Sequence, residues 1–490
     1  MSVSVDFEGF RENNRLEAKS AAKGLPLSIW ETYSAFANTE GGLILLGVVE
    51  NEDNSLRVVG LQSPEKLIKE FWDTVNNPKK VNVNLLSSGD VFSREYEGKE
   101  VVVINVPRAD RPYRPVYING NPLTGTYRRN GEGDYHCSVE EYQAMVRDAS
   151  YKTQDLLILD DMGFDVFNAE SIRGYRQMMS IKRPGHVWEK LDDEDFLLRI
   201  GAVGIGSDGK RYPTVAGVLM FGDEFNIVRE LPNFFLDYRE NFDSSIRWTD
   251  RIVSSSGEWS GNLFDFYFKV YNKLIQNLKV PFSLNGGFRV DDTSIHKGVR
   301  EVLVNCLVNA DYYGRGGVVV LNAPDEIRVS NPGRFRIEVE AAKVGGISDP
   351  RNSTIMKMFS LIDIGERAGS GIPSIFAVWK DEGFEPPTII EKFNPDRIEI
   401  VLSLKKTAIK NGDKKTAIKN GDKKTAISSN RKRMIVEYLE ANGVSSSSEI
   451  SSYVGLKSSR LKDYLRELIG ENIIVFEGSN RNRVYKLKGR

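Results

Sequence analysis

The spacing of apolar and polar residues changes along the chain and predicts a mixture of helices and strands. Residues 27–38 carry apolar positions at helical spacing, and residues 42–49 form an almost continuous apolar run typical of a buried strand. Gly41 and Gly42 separate the two, where a tight turn has no room for a side chain. Further on, residues 196–203 predict a helix and residues 214–221 a strand.

A third helix, within residues 297–312, carries polar side chains in the middle of an apolar sequence. Glu301, Asn305 and Asn309 follow one another at intervals of four, so they lie one above another on the same helix face. Burying three polar groups without partners costs about 1–3 kcal/mol each. The pattern therefore predicts a stripe that binds a ligand or a metal. The alternative is a buried amide network that caps adjacent strands.

The C-terminal pattern predicts three short helices followed by a hairpin, which is the order of a winged helix-turn-helix domain. The helices correspond to residues 431–443, 445–456 and 457–472, and the hairpin to residues 473–487. The third helix and the wing would meet nucleic acid through six basic residues: Lys457, Arg460, Lys462, Arg466, Arg481 and Arg483. Small domains of this kind also bind proteins, so that alternative stays open.

Charge is distributed unevenly, and this favours a polyanionic partner for the C-terminal part. Residues 405–490 contain 20 Lys and Arg against 9 Asp and Glu, a net charge of +11, whereas the rest of the chain carries −12. The basic part begins with a nine-residue sequence, KKTAIKNGD, that occurs at 405–413 and again at 414–422. This short polar repeat is interpreted as a linker.

Length and composition restrict the class of protein. A chain of 490 residues is too long for one hydrophobic core, because single cores stop growing near about 250–300 residues. Its two cysteines cannot form a disulfide framework, which favours a reducing compartment. No apolar run approaches the roughly 20 residues that span a bilayer, and the polar N-terminus does not have the pattern of a signal peptide. We therefore expect a cytoplasmic protein without a membrane partner.

The N-terminal motifs resemble the Schlafen AlbA-like domain. The resemblance rests on AFANTEGGLILLGV at residues 35–48, on RPYRPVY at 111–117 and on GTYRR at 125–129, and it covers roughly residues 8–148. It implies one of two chemistries. The first is nucleic-acid binding through a basic surface, for which the candidates are Arg111, Arg114, Arg128 and Arg129.

The second chemistry that this resemblance implies is metal-dependent RNA cleavage. Glu12 and Glu17 match the spacing of the acids that such enzymes use, and the third acid would come from Glu50, Glu52 or Asp53. Such a cluster would hold Mg²⁺ or Mn²⁺ against the scissile phosphate. The alternative for Glu17 is a structural ion pair with Lys19.

The polar helix and the motifs that follow it resemble the GHKL ATPase superfamily, in a divergent form. After the helix come a strand at residues 317–321, the sequence NPG at 331–333 and the sequence GERAGSGI at 365–372. The resemblance implies that Glu301 polarises water and that Asn305 coordinates Mg²⁺, with Asn309 and Asp311 nearby. A glycine-rich turn before a helix presents backbone N–H groups to phosphates, which makes Gly369, Ser370 and Gly371 candidates for binding ATP.

One departure from the superfamily concerns the base. The typical Asp-x-Gly-x-Gly sequence is replaced here by Asn331, Pro332 and Gly333. The residue that reads the base is either Asn331 or Asp325, or neither of them does so. The sequence therefore does not determine which nucleotide binds or whether the nucleotide is hydrolysed.

Together the patterns and resemblances predict a multidomain α+β protein. An AlbA-like α/β domain would span 1–150, a bridging segment 151–280, a GHKL-type α/β sandwich 281–404, the linker 405–430 and the winged helix 431–490. The function expected is that of an ATP-binding and DNA-binding transcriptional regulator, acting as a homodimer with ATP and Mg²⁺. Alternatives are an ATP-gated, metal-dependent nuclease acting on RNA or DNA, and a scaffold with degenerate domains.

Overall fold

The computed structural model divides the chain into two compact units, Met1–Thr407 and Ala408–Arg490. It describes residues 15–51, 53, 55–242, 245, 247–276, 278, 284–285, 288–289, 293–365, 369–393, 395–407, 435–436, 438–439, 443–454, 461, 464–466, 468–469, 473–477 and 484–488. In the part of the chain so described, none of the helices combines the length and the apolar character needed to cross a bilayer.

The N-terminal region of the first unit is built on a four-stranded sheet in the order β1-β2-β6-β5, in which β1 and β2 are parallel. Its elements are β1 Leu16–Lys19, α1 Ile29–Asn38, β2 Gly42–Leu46, β3 Val48–Glu50, β4 Leu56–Val58, α2 Pro64–Val75, β5 Val91–Tyr96, β6 Lys99–Val106, α3 Pro122–Gly125, β7 Tyr127–Asn130, β8 Gly133–His136 and α4 Val139–Ala149.

The turn between α1 and β2 follows the sequence prediction. Gly41 has a φ of +73°, and a Cβ atom there would lie 2.8 Å from the carbonyl oxygen of Val106. At Gly42 a Cβ atom would lie 2.8 Å from the ring of Phe36. Both positions therefore require glycine, since backbone and a buried ring fill the space that a side chain needs.

The rest of the first unit contains the second sheet and the helices that cover it. Its elements are α5 Ala169–Lys182, α6 Asp193–Ile200, β9 Val203–Ile205, β10 Arg211–Pro213, α7 Val215–Phe221, α8 Glu224–Glu230, β11 Leu236–Glu240, β12 Asp250–Val253, α9 Leu263–Gln276, β13 Leu284–Asn285, β14 Phe288–Arg289, α10 Ser294–Asn309, β15 Val318–Asn322, β16 Glu326–Pro332, α11 Val339–Val344, α12 Ser353–Leu361, α13 Gly371–Asp381, β17 Thr388–Lys392 and β18 Arg397–Ser403.

The second sheet has six strands in the order β12-β11-β15-β16-β18-β17. The pair β11 and β15 is parallel, and the other neighbours are antiparallel. One hydrophobic core extends from Leu159 to Leu402. The segments expected at 151–280 and 281–404 therefore share a core and a sheet, because β11 and β12 come from the first and the other four strands from the second.

One element differs in type from the sequence prediction. Residues 214–221 were expected to form a strand, but Val215–Phe221 is the helix α7. Every residue of α7 is buried, so its sequence is apolar on all sides and shows no period that distinguishes a helix from a strand.

In the second unit, the described residues form a small core of their own. The strands are β19 Ser445–Ser446, β20 Ile474–Glu477 and β21 Val484–Leu487, in the order β19-β21-β20, and α14 spans Ser447–Val454. Core residues are Ile435, Leu439, Ile450, Leu461, Leu465, Leu468, Ile474 and Tyr485. The winged-helix interpretation stays a prediction. Arg466 is exposed in this unit, whereas Lys457, Arg460, Lys462, Arg481 and Arg483 lie outside the described residues.

Candidate functional site

The polar stripe of α10 lies between fully buried apolar residues. Glu301, Asn305 and Asn309 are each half-buried, while the three residues that separate each from the next are all buried. The side-chain amide of Asn305 donates hydrogen bonds to the carbonyl oxygen and to Oε1 of Glu301, both at 2.8 Å. That of Asn309 donates to the carbonyl oxygen of Asn305 at 2.9 Å. These bonds hold the stripe in one orientation.

The glycine-rich turn packs directly on this stripe. A Cβ atom at Gly371 would lie 2.1 Å from Oε1 of Glu301 and 2.9 Å from Nδ2 of Asn305. Gly369 has a φ of +65°, and a Cβ atom there would lie 2.6 Å from the carbonyl oxygen of Ile347. The helix α13 begins at Gly371, and its third residue, Pro373, has no N–H group. The first-turn N–H groups without an intrahelical partner are therefore those of Gly371 and Ile372, beside Glu301 and Asn305. Such a turn can accept an anionic group next to the stripe.

A pocket lies between α10, the start of α13, β18 and residues 334–350, which we name the lid segment. Six of the predicted nucleotide-site residues line it: Glu301, Asn305, Asn309, Asn331, Gly369 and Gly371. Ser370 is exposed beside it. The lid segment contributes Phe335, Ile347 and Asp349 among others to the pocket wall. The structure thus brings together residues that are up to 70 positions apart in the sequence.

The two candidates for reading the base are placed differently. Asn331 is buried at the end of β16 and lines the pocket, and its amide donates to the carbonyl oxygen of Pro332 at 3.0 Å. Asp325 is exposed in the turn between β15 and β16, where its carboxylate lies 3.5 Å from Nζ of Lys405. Only Asn331 of these two is positioned to contact a ligand in the pocket.

Asp311 and Gly333 face an adjacent cleft, which we name the junction cleft, rather than the nucleotide pocket. Oδ2 of Asp311 accepts a hydrogen bond from Arg147 at 3.0 Å. Gly333 has a φ of +98°, and a Cβ atom there would lie 2.9 Å from the guanidinium group of Arg351. Asp311 thus joins the ATPase-like region to the N-terminal region, whereas Gly333 leaves room for the side chain of Arg351.

Charged residues join the lid segment to the N-terminal region. Arg334 donates to the carbonyl oxygen of Asn38 at 3.0 Å. The guanidinium group of Arg111 donates to Asp349 at 2.9 Å. Sequence reasoning did not identify this junction, because its partners are separated by more than two hundred positions and each alone is an ordinary charged residue.

Asp148, near the end of α4, is the acid about which this junction is organised. Its carboxylate pairs with Arg351, and its backbone carbonyl accepts from Arg111 at 2.7 Å. Burial raises the pKa of Asp148, but the positive charges of Arg351, Arg336 and Arg114 outweigh that effect and leave the pKa below its ordinary value. The acid is therefore ionised at neutral pH and stabilises the junction.

Three acids of the predicted nuclease site, Glu17, Glu50 and Asp53, lie among the described residues. Oε2 of Glu17 lies 2.9 Å from Nη2 of Arg129, and Oε1 lies 2.8 Å from Nζ of Lys19, so Glu17 forms ion pairs with both residues. Glu50 and Asp53 are exposed. Among the residues described, no three His, Cys, Asp or Glu side chains form a group that could hold a metal ion. Glu12 and Glu52 lie outside the described residues, so the metal cluster stays a prediction.

The four arginines predicted to bind nucleic acid are engaged inside the first unit or buried in it. Arg128 pairs with Glu141, and Arg129 with Glu17 and Asp134. Arg111 pairs with Asp349, and Arg114 is buried at the junction cleft. Their role in nucleic-acid binding stays a prediction.

Comparisons with known proteins agree with the two resemblances. Residues 10–138 match the Schlafen AlbA_2 family model, and residues 317–402 match HATPase_c_4, a model named for the C-terminal part of recG, an ATP-dependent DNA helicase. Residues 143–237 match a domain of unknown function, DUF8451. The chain therefore contains a Schlafen AlbA_2 domain and an ATPase-like domain of the recG C-terminal type. This domain content indicates a nucleic-acid-related, ATP-dependent function.

Solved structures provide three further comparisons. A crystal structure of a Corynebacterium diphtheriae protein is 15% identical over 97% of this chain and 95% of its own, with a TM-score of 0.40. The N-terminal domain of a RecG-related ATP-dependent DNA helicase protein from Nitrosomonas europaea is 33% identical over 27% of this chain and 89% of its own, with a TM-score of 0.22. The Zalpha domain of Carassius auratus PKZ, determined with Z-DNA, is 24% identical over 13% of this chain and 98% of its own, with a TM-score of 0.12. No curated protein matches the chain.

Proposed function

We propose that this protein is an ATP-responsive, DNA-binding transcriptional regulator that binds ATP in the pocket between α10 and α13. The observation that supports this most strongly is the contact of Gly371 with Glu301 and Asn305, because it joins the glycine-rich turn to the polar stripe in one pocket. A side chain at this turn would overlap the polar stripe, so the backbone of the turn lies directly beside the Glu301 carboxylate. Backbone N–H groups and a carboxylate that lie this close together can contact the same ligand.

The residues present fit a nucleotide with Mg²⁺. Carboxylate and amide oxygens are suitable ligands for Mg²⁺, and Glu301 and Asn305 supply one of each on adjacent turns of α10. Because the Asn305 amide nitrogen donates to Glu301, its amide oxygen is the atom suited to the cation. Bound Mg²⁺ would neutralise charge on the phosphate oxygens. The N–H groups at the start of α13 would bind the phosphates.

The lid segment offers a physical route from nucleotide to DNA. Its inner side lines the pocket, and its two ends are held by Asn38 and Arg111 of the AlbA_2 region. A nucleotide that changes the conformation of the lid segment would change the energy of its contacts with the AlbA_2 region. The affinity for ATP and the affinity for DNA would then depend on each other in both directions. DNA would contact the AlbA_2 region and the basic second unit. A homodimer remains part of the proposal, to be tested by light scattering.

The experiment that tests the nucleotide site compares two glycine variants of the full chain. Gly371→Ala places a methyl group against Glu301 and is expected to abolish the thermal stabilisation by ATP and Mg²⁺. Gly89→Ala is the control, because a Cβ atom there has no neighbour within 4 Å. In the native protein, ATP at about 100 times its dissociation constant should add about 2.7 kcal/mol. An unchanged response in Gly371→Ala would place ATP elsewhere.

A second measurement tests DNA binding in the same protein. The affinity for duplex DNA should fall steeply with salt concentration, because phosphate contacts release counterions, and it should change when ATP is added. Affinity that does not depend on salt would remove DNA as the partner. If the affinity for DNA does not change when ATP is added, the protein binds DNA without control by the nucleotide.

A further inference from the structure

The junction cleft has a wall of arginines and acids, and all but one of the arginines that line it are paired. Arg147 pairs with Asp311 at 3.0 Å, and Arg334 with Asp396 at 2.7 Å. Arg351 pairs with Asp148. At the edge of the cleft, Arg315 pairs with Glu140 at 3.0 Å.

Arg114 is the exception among the described residues that line this cleft. It is 7% exposed, its guanidinium group has no acid within 4 Å among the described residues, and its Nε is a buried donor without an acceptor. Burial and the neighbouring Arg108 lower the pKa of Arg114 to about 9, which leaves it charged at neutral pH. A buried charge without a partner costs several kcal/mol, so a counterion from solution would be bound favourably.

Two further atoms indicate the kind of counterion. Nε of Arg147 is a second buried donor without an acceptor, which favours an anion with more than one oxygen. Oδ1 of Asp396, in the same cleft, is a buried acceptor without a donor among the described residues. A ligand that presents both oxygens and a hydroxyl group has the acceptors and the donor that these three atoms lack. Hydrogen phosphate has these groups, whereas chloride has neither and sulfate lacks the hydroxyl.

We propose that the junction cleft is a phosphate-binding site in which Arg114 is the principal ligand and Arg147 and Asp396 complete the contacts. This site is separate from the nucleotide pocket, since the junction cleft is lined by Gly333 and Asp311 and not by Glu301 or Gly371. Its occupant joins the AlbA_2 region, which supplies Arg114, to the ATPase-like region, which supplies Asp396. The source of the phosphate is either the free ion or the phosphorylated end of a nucleic-acid strand, because an internal phosphodiester has no hydroxyl group.

The test measures the thermal stability of the full chain in phosphate, sulfate and chloride at equal ionic strength and neutral pH. Phosphate is expected to raise the melting temperature of the native protein more than sulfate or chloride. Arg114→Met should weaken phosphate binding roughly tenfold or more, because charged hydrogen bonds are lost. In chloride this variant should lose little stability, because the removed charge forms no ion pair within 4 Å among the described residues and favours Asp148 only through a longer-range interaction. A variant that responds to phosphate as strongly as the native protein would overturn the proposal.

Two controls test whether the phosphate response belongs to the junction cleft. Arg176→Met removes an arginine that pairs with Asp193 and does not line the cleft, so the phosphate response should stay intact. Asn305→Ala should also retain the phosphate response. If Asn305→Ala loses the phosphate response and Arg114→Met keeps it, phosphate binds in the nucleotide pocket and the proposal is overturned. If Arg114→Met does not fold, Arg114→Gln provides the uncharged variant for the same measurements.

A competition experiment distinguishes the two sources of phosphate. The probe is single-stranded DNA with a 5′-phosphate, and the same DNA without that phosphate is the control. Binding of the phosphorylated DNA alone, displaced by inorganic phosphate and weakened in Arg114→Met, would identify the phosphorylated end of a strand as the source. DNA binding that is unaffected by phosphate and by the substitution, with a retained response to the free ion, would identify free phosphate.

Discussion

Arg129 is an almost fully buried cation in the AlbA_2 region, and its stability depends on two acids. It pairs with Glu17 and with Asp134, each at 2.9 Å, and its guanidinium group lies over the ring of Phe36. Replacing one acid would leave a buried charge partly uncompensated, which is costly even when the other acid remains. The contact therefore allows a structural test of Glu17.

We expect Glu17→Ala to lower the free energy of unfolding by roughly 1.5–3 kcal/mol, the range for a hydrogen bond to a charged group. Urea denaturation of the native protein and the variant measures the loss. Glu70→Ala, at an exposed position on α2, should stay within about 0.5 kcal/mol of the native protein. A Glu17→Ala protein of native stability that has lost a Mn²⁺-dependent cleavage of RNA would instead support the nuclease alternative.

The depressed pKa of Asp148 predicts how the stability of the folded protein changes with pH. Its pKa is depressed in the folded protein, so its stabilising contribution is fully present above the pKa of an unfolded aspartate, about 3.9. The contribution is lost as the pH falls through the lower folded-state value. We expect denaturation midpoints to decline below about pH 4, and the decline to be smaller in Asp148→Asn, which is also less stable at neutral pH. An identical acid profile in the two proteins would contradict this.

At this scale the sequence predicts sites that lie on one helix and misses those that join distant segments. Glu301, Asn305 and Asn309 could be grouped because helical periodicity places residues four apart on one face. Their meeting with Gly371 followed only from the family resemblance. Nothing in the sequence indicated that Arg334 reaches Asn38, since the contact depends on how two folded regions pack.

The helices α10 and α13 form the element on which the nucleotide pocket depends, and they touch at Gly298. A Cβ atom at Gly298 would lie 2.7 Å from Cζ3 of Trp379, which is fully buried and donates from its ring nitrogen to the carbonyl oxygen of Ser403 at 2.8 Å. The indole ring is therefore held and cannot move aside cheaply. The distance between the two helices, and with it the width of the pocket, is set by the absence of a side chain at this position.

We expect Gly298→Ala to destabilise the protein by about 1–2 kcal/mol, because overpacking outweighs the gain of up to about 1 kcal/mol in helix propensity. The variant should also bind ATP more weakly, since α13 carries Gly371. Thermal denaturation with and without ATP measures both effects, with Gly89→Ala as the control. If Gly298→Ala is more stable than the native protein and binds ATP equally well, α13 can shift to accommodate the methyl group without a loss of packing energy.

Elements differ in how far their sequences determine them. The pattern at α1 and β2 was sufficient because a helical period is followed by an apolar run with glycines between them. At α7 the pattern was misleading, because a helix buried on every side has no polar positions to reveal its period. The pairing of β11 with β15 could not be predicted, since strand partners are chosen by tertiary packing across more than seventy residues.

At the scale of the molecule, the proposed regulation depends on contacts between the AlbA_2 region and the ATPase-like region. Arg108 of the former donates to the carbonyl oxygen of Phe335 at 2.8 Å and lies 3.5 Å from Glu391. Phe335 lines the nucleotide pocket, whereas Arg108 does not. Arg108 is therefore placed to transmit a change in the lid segment without touching the ligand.

We expect Arg108→Met to bind ATP about as well as the native protein while ATP no longer changes its affinity for DNA, because coupling requires a contact whose energy differs between the two states. DNA titrations with and without ATP measure the coupling, and Arg176→Met is the matched control. If ATP still shifts DNA affinity in Arg108→Met as much as in the native protein, this contact does not carry the coupling.

The shared six-stranded sheet has a consequence for how such a gene can change. The match to the domain of unknown function ends at residue 237, within β11, and the ATPase-like match begins at residue 317, beside β15. These two strands are hydrogen-bonded neighbours, the second and third of the six strands in the sheet. Recombination between them would separate the two halves of one core, so the two regions should be inherited together, whereas exchange after Thr407 leaves the sheet whole.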